Sequence, residues 1–171
     1  MLSRALRHRF ALRVTVALLL LALLAYGLLA PSRQPGLAPP LPGAALRGPA
    51  VSVAALRGRP AVIAFFASWC GPCRLEAPAL ERFATSPIGR GQMIAVDYGD
   101  VPARARAFIA RYHWSFPVLS DPSTAFGDAY GVAHLPTTVI LDANGRIVAR
   151  DYGAQTIASL DRAFRAARSL S

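Results

Sequence analysis

The chain has 171 residues, 54 % hydrophobic and 16 % charged, which is too apolar for a disordered protein and long enough for one domain with an appendage. Its formal charge of +10 rests on 19 basic residues, all arginine. Four of these (Arg4, Arg7, Arg9, Arg13) precede the first apolar run, and from Ala44 onward 14 arginines face 9 acids without a basic run or an RNA-binding aromatic motif, which argues against nucleic acid as a partner.

Residues 14–30 form a nearly unbroken apolar run, interrupted only by Thr15, Tyr26 and Gly27 and stopped by Pro31. It is just long enough to span a bilayer. Four arginines ahead of it and only Arg33 close behind predict residues 1–13 in the cytoplasm, a retained anchor over 14–30, and everything after it on the far side of the membrane. A buried core helix and a signal peptide cleaved after Ala25-Tyr26-Gly27 are the competing readings. Residues 31–43 carry five prolines, so neither a helix nor a paired strand is expected there, and the segment reads as a semi-rigid tether. The alternative is an ordered wrap around the domain.

The domain, 44–171, opens with extended pieces at 44–47 and 50–53 around Gly48-Pro49, then a helical turn at 54–58. Residues 61–67 are a continuous apolar run of strand length, as in a central strand covered on both faces. A helix is predicted over 72–85, with Leu75, Ala79, Leu80 and Phe83 at helical spacing and a kink at Pro78. Strands follow at 93–96 and 116–119, with a proline-opened helix at 102–112 between them. A helix over 123–130 ends at Gly131. Strands at 137–141 and 146–150 flank Asp142-Ala143-Asn144-Gly145, a hairpin signal. The last helix places Ile157, Leu160, Phe164 and Ala167 on one face and Arg162, Arg165 and Arg168 on a solvated one. The order implies an α/β fold, a mixed sheet with helices on both faces, whose site lies at the carboxyl ends of the strands.

Trp69-Cys70-Gly71-Pro72-Cys73 stands at such an end and contains both cysteines of the chain. Only a thiolate attacks a disulfide, and a helix N-terminus stabilises that anion through its unpaired N–H groups and dipole. Cys70 is therefore the predicted nucleophile. Cys73, one turn further in, is the resolving thiol, and Pro72 needs no hydrogen-bond partner at the first helical turn. Other uses of two cysteines fare worse. A zinc site lacks ligands beyond His113 and His134, haem attachment needs histidine where Arg74 stands, and a structural disulfide across so short a loop contributes little, roughly 2 kcal/mol.

The stretch 65–73, Phe-Phe-Ala-Ser-Trp-Cys-Gly-Pro-Cys, resembles the active-site signature of the thioredoxin superfamily. Its continuation Arg74-Leu75-Glu76-Ala77-Pro78, with Phe116-Pro117-Val118-Leu119-Ser120-Asp121, Leu135-Pro136-Thr137-Thr138 and Asp142-Ala143-Asn144-Gly145, resembles the membrane-anchored TlpA/ResA/DsbE branch over residues 44–168. That resemblance implies a thioredoxin-like fold and a domain facing the periplasm or outer surface. It also implies reduction of protein disulfides, often in apocytochrome c, with Pro136 as a cis-proline facing Cys70 and Trp69, Gly71, Pro72 and Leu135 as substrate contacts. No cofactor or metal is implied. Glu76 matches the branch's acid three residues after the second cysteine. Nearly one turn on, it is either an acid/base for Cys73 or an exposed acid favoured by the helix dipole. The buried acid of cytoplasmic thioredoxins, six residues before the first cysteine, is replaced by Ala64. His134, two residues before Pro136, reads as a surface or packing residue with a place in the substrate groove as the alternative, and His113 and Trp114 receive no role.

Three other functions compete. A peroxidase on this fold needs threonine where Ala67 stands. A copper chaperone spaces its cysteines by three residues rather than two. A thiol oxidase runs the same dithiol cycle backwards, but Gly71-Pro72 resembles the reducing thioredoxins. The reading is a thiol-disulfide oxidoreductase working as a reductase, with a disulfide-bearing protein as substrate and a membrane thiol-electron carrier as its source of electrons.

Overall fold

The computed structural model describes residues 16–19, 21 and 36–170, and the chain divides into two units, 1–34 and 35–171. In the first unit residues 16–19 and 21 are helical, with Val16, Leu18, Leu19 and Leu21 exposed. The rest of the anchor predicted over 14–30 lies outside the described residues, and among the described residues no helix is long and apolar enough to cross a membrane.

The second unit is built on six strands: β1 (Ala45–Arg47), β2 (Ala61–Phe66), β3 (Met93–Tyr98), β4 (Val118–Asp121), β5 (Thr137–Leu141) and β6 (Ile147–Tyr152). They form one sheet in the order β1-β4-β3-β2-β5-β6. β2 pairs in parallel with β3, and β3 with β4, while β1, β5 and β6 join antiparallel. Four helices complete it: α1 (Gly71–Thr85), α2 (Pro102–Arg111), α3 (Ala125–Tyr130) and α4 (Ile157–Arg168). β2, β3 and β4 are laid down in one direction across the sheet, so right-handed crossovers put α1 and α2 on the same face. The return from β4 to β5 runs the other way and carries α3 to the opposite face.

Alternation along the strands separates two core layers. Val62, Ala64 and Phe66 of β2 join Met93, Ala95 and Val118 in the layer under α1, α2 and α4. Ala61, Ile63 and Phe65 join Ile94, Val96 and Leu119 in the layer that holds Tyr130. All six β2 residues are buried, as the unbroken apolar run required. Trp114, without a role in the sequence, is a core residue. Its ring packs 4.7 Å from that of Phe66 and its Nε1–H donates to the Ala77 carbonyl at 3.0 Å.

The proline-rich segment departs from the tether reading over residues 36–43. Ala38 N–H donates to Gly145 O, Ile147 N–H donates to Gly36 O, and the Tyr130 hydroxyl donates to Pro39 O at 2.6 Å. Leu41 is buried in the α3-side core layer. Proline lacks an N–H but keeps its carbonyl as an acceptor, so a segment that cannot be a strand still docks on the domain. The extended piece expected at 50–53 is also different. Ser52 caps a short 3-10 turn, Val53–Leu56, which buries Val53 and Leu56. α1 continues through Pro78 to Thr85, and α2 ends at Arg111. The hairpin turn is held by Asp142, whose Oδ1 accepts from Asn144 and Arg146 N–H, with Gly145 at φ 77°, a conformation glycine adopts without strain.

Candidate active site

β2 ends at Phe66, and four residues later Cys70 caps the N-terminus of α1, its Sγ accepting from the Cys73 N–H at 3.2 Å. The two cysteines are joined in a disulfide. Both are nearly closed off, Cys70 at 4 % exposure and Cys73 at 1 %, so exposure alone scarcely separates them. Position does. Cys70 sits at the helix N-cap between exposed Trp69 and exposed Gly71-Pro72, and Cys73 lies one turn into α1, both against the core layer that contains Ala77 and Leu80. A Cβ added at Gly71 would meet nothing within 4 Å, so this glycine relieves no crowding within the fold and leaves the approach to the disulfide open.

The antiparallel register of β2 and β5 pairs Phe65 with Thr137, which brings Pro136 to the same end of the sheet as the cysteines. The Leu135-Pro136 bond is cis, Pro136 is buried, and half-buried Leu135 packs against the core layer that includes Cys70 and Cys73. One loop, 153–156, ties two site elements together. Gly153 N–H donates to Pro136 O at 2.9 Å, and Gln155 N–H donates to Glu76 Oε2 at 3.0 Å. His134 is exposed, its ring 5.7 Å from that of Tyr152, and His113 is exposed at a φ of 54°.

Glu76 is buried, at 1 % exposure, and the exposed-acid alternative does not describe it. Burial lifts its carboxyl from 4.5 to about 7, with the Gln155 N–H pulling the other way. Its Oε1 has no hydrogen-bond partner. On a helix, residues three apart are neighbours, so Glu76 offers a free acceptor on the face that carries Cys73, with an affinity for a proton near neutrality.

Two acids passed over in the sequence also shape the site. Strand β3 runs two residues beyond its apolar stretch and carries Asp97 into the α1 and α2 face, paired with Phe66 on one side and Ser120 on the other. Asp97 is fully buried, neither of its oxygens has a partner, and Ser120 Oγ is likewise unpartnered. Burial first, then the charges of Asp100 and Asp121, push Asp97 from 3.8 up to about 7. Asp100 is satisfied instead, its two oxygens accepting from Ser68 N–H and Val101 N–H, each at 2.7 Å. It thereby pins the loop leading into Trp69-Cys70. The signal was present in the sequence as two aspartates, one ending the apolar stretch 93–96 and one three residues further on. Asp100→Ala strands two backbone donors and is expected to lower the stability of the oxidised protein by about 2–4 kcal/mol, read from its urea denaturation midpoint.

Among the described residues no three His, Cys, Asp or Glu side chains gather into a set that could hold a metal ion. The arrangement is suited to transfer of two electrons between cysteine pairs, with a buried carboxyl three residues after the inner thiol.

The sequence is 31 % identical over 112 residues to the thiol-disulfide oxidoreductase ResA of Halalkalibacterium halodurans, covering 65 % of this chain and 64 % of that protein. The thiol:disulfide interchange protein HelX of Rhodobacter capsulatus is 35 % identical over 100 residues, 58 % of this chain and 55 % of its own. The chain thus spans less than two thirds of either relative. The fold superposes on the crystal structure of a thiol:disulfide interchange protein DsbE from Chlorobium tepidum with a TM-score of 0.68 at 29 % identity, over 78 % of this chain and 96 % of that one, so the architecture is thioredoxin-like. The Redoxin family pattern matches residues 27–164, and the chain belongs to the Redoxin family.

Proposed function

We propose that this chain is a thiol-disulfide oxidoreductase that reduces protein disulfides outside the cytoplasm, and that the buried Glu76 beside Cys73 carries the direction. A carboxyl in a dry site disfavours a second negative charge next to it. A Cys73 thiolate in that setting is costly, so the dithiol form is not electrostatically stabilised and gives up its electrons readily. Strong oxidants of this superfamily owe their potential to the opposite arrangement, a stabilised reduced form.

The cycle balances as follows. The Cys70 thiolate attacks one sulfur of the substrate disulfide, forming a mixed disulfide and releasing one substrate thiolate. Glu76 takes the proton of Cys73, and the Cys73 thiolate attacks Cys70 Sγ. The second substrate sulfur leaves as thiolate, and the Cys70–Cys73 disulfide forms. Two electrons have passed to the substrate, and a dithiol donor must restore them. In an oxidising compartment the donor fits a membrane thiol-electron carrier. The apolar run 14–30 behind four arginines supports an anchor with its N-terminus in the cytoplasm and the domain beyond the membrane. Apocytochrome c cysteines are the substrate class that the branch resemblance suggests.

The reading is tested by equilibrating the full chain in thiol-disulfide buffers. A reductase gives a potential close to the roughly −270 mV of reducing thioredoxins, and a value near the roughly −120 mV of strong oxidants would reverse the proposed direction.

A further inference from the structure

Beside the disulfide lies a cleft of about 490 Å³, lined by Ser68, Arg74, Ala107, Phe108 and two further arginines, Arg104 and Arg111. Arg104, Ala107, Phe108 and Arg111 fall at i, i+3, i+4 and i+7 of α2, so they form one stripe facing the start of α1. The two ends of the stripe are cationic and the small Ala107 leaves room between them. Arg74 is held at the rim by donating to Ser68 O at 2.9 Å, while the guanidinium groups of Arg104 and Arg111 make no hydrogen bond or ion pair among the described residues.

The acids close in sequence make no ion pair with the cleft's arginines among the described residues. Asp100 spends both oxygens on backbone N–H groups, Glu81 accepts from Ser115 N–H at 2.7 Å, and Glu76 and Asp97 are buried. α2 itself carries no acid. Three exposed guanidinium groups therefore share a concave surface with one buried carboxylate, Asp100, behind the lining Ser68, so positive charge is in excess there, next to Trp69, which is 56 % exposed. A solvated basic face is the plainer account of arginines on a helix. It does not explain why the three converge on a cleft that begins at Ser68, two residues before the reacting sulfur.

Resting on the reductase reading above, we propose that this cleft is a docking site for an acidic polypeptide segment adjoining the reactive cysteine of the protein substrate. Arginine presents a fixed fork that pairs bidentately with carboxylates. Seven residues of helix separate Arg104 from Arg111, a rise of about 10 Å, which about three residues of extended chain span. The best-fitting substrate carries two acidic residues about three positions apart on one side of its cysteine. An anionic membrane surface is a poorer occupant, because the guanidinium groups line a concave cleft and not a flat or convex face.

The test uses the full chain, reduced, and three disulfide probes: a peptide with two glutamates three apart beside its cysteine, the same peptide with lysines, and the small uncharged bis(2-hydroxyethyl) disulfide. At low salt the acidic peptide is expected to be reduced about tenfold faster than the basic one, the ratio falling toward one at 1 M salt. In Arg104→Glu/Arg111→Glu the ratio should invert. Because each ratio is taken within one protein preparation, a general loss of activity in the variant leaves it readable. Equal rates for the two peptides in the native protein, or a ratio that survives the double substitution, would overturn the docking site. So would a double substitution that abolishes competition by phosphatidylglycerol vesicles and leaves the peptide ratio untouched, which would assign the cleft to lipid. Failure of the native protein to reduce the uncharged disulfide would instead count against the reductase reading.

Discussion

Replacing Cys70 with serine is expected to bring disulfide reduction down to the uncatalysed background, a fall of more than about a thousandfold, because an alcohol contributes almost no anion at neutral pH where a thiol contributes a reactive one. Cys70 accepts the Cys73 N–H at the mouth of α1, so the negative charge it develops meets a donor and the positive end of the helix. Serine at the same N-cap keeps that hydrogen bond, and helices accept serine there readily. The loss should therefore appear in turnover and scarcely in the fold.

Cys73→Ala is expected to behave differently, and the contrast separates the two roles. The first attack still proceeds, since Cys70 is untouched, but nothing intramolecular can displace the substrate. The mixed disulfide should accumulate in stoichiometric amount, visible as a dithiothreitol-sensitive band of added mass. Multiple turnover stops while a single substrate-bond cleavage survives. Accumulation with Cys70→Ala and none with Cys73→Ala would exchange the assignments. Truncating the buried Cys73 also leaves a small cavity in the layer it shares with Ala77 and Leu80. Trapping by this variant is therefore to be scored per molecule of folded protein.

Several parts of this site were legible because they depend on local chemistry. The apolar run that becomes β2, the cysteine spacing, the Asn144-Gly145 turn and the helix start at Gly71-Pro72 each carry their structural instruction within a few residues. Glu76 was not legible in the same way. Three residues after Cys73 it reads equally as a solvated acid or as a buried one, and the choice is made by a backbone N–H from Gln155, 79 positions away in sequence. Asp97 was missed because an aspartate ordinarily ends a buried strand, whereas here the parallel pairing with Phe66 and Ser120 on both sides carries the ladder past it. For residues 36–43 the proline content left a tether and an ordered wrap both open, because it reports on missing donors and is silent about carbonyls. Pro39 O and Gly36 O accept, and Ala38 N–H donates, to hold that segment.

The two buried carboxyls make the oxidised protein lose stability as pH rises. Glu76 and Asp97 both have folded-state pKa values raised to about 7, above 4.5 and 3.8 for the free groups. Between about pH 4 and 7 the folded chain therefore holds protons that the unfolded chain has released. The linkage slope is then negative, about 1.4 kcal/mol lost per pH unit for each group, and the loss flattens above about pH 8. Glu76 alone accounts for about 3 kcal/mol over that window, and Asp97, displaced further, for about 4 kcal/mol. Working with the oxidised form keeps the cysteines out of the titration, since a disulfide does not ionise. Glu76→Gln keeps an oxygen for the Gln155 N–H and cannot ionise, so its denaturation midpoint should exceed that of the native chain at pH 8 and lose the advantage at pH 5. Asp97→Asn should flatten the same curve independently, because Asp97 lies on β3 and Glu76 on α1. A native midpoint that stays level from pH 5 to 8 would contradict the burial of both acids. For activity the two substitutions part company. Glu76 offers an unpaired oxygen three residues along α1 from Cys73, so Glu76→Gln is expected to remove the limb near pH 7 from the rate at which Cys73 releases a preformed mixed disulfide. Asp97→Asn should leave that limb in place, which separates a proton carrier from a carboxyl that merely tolerates burial.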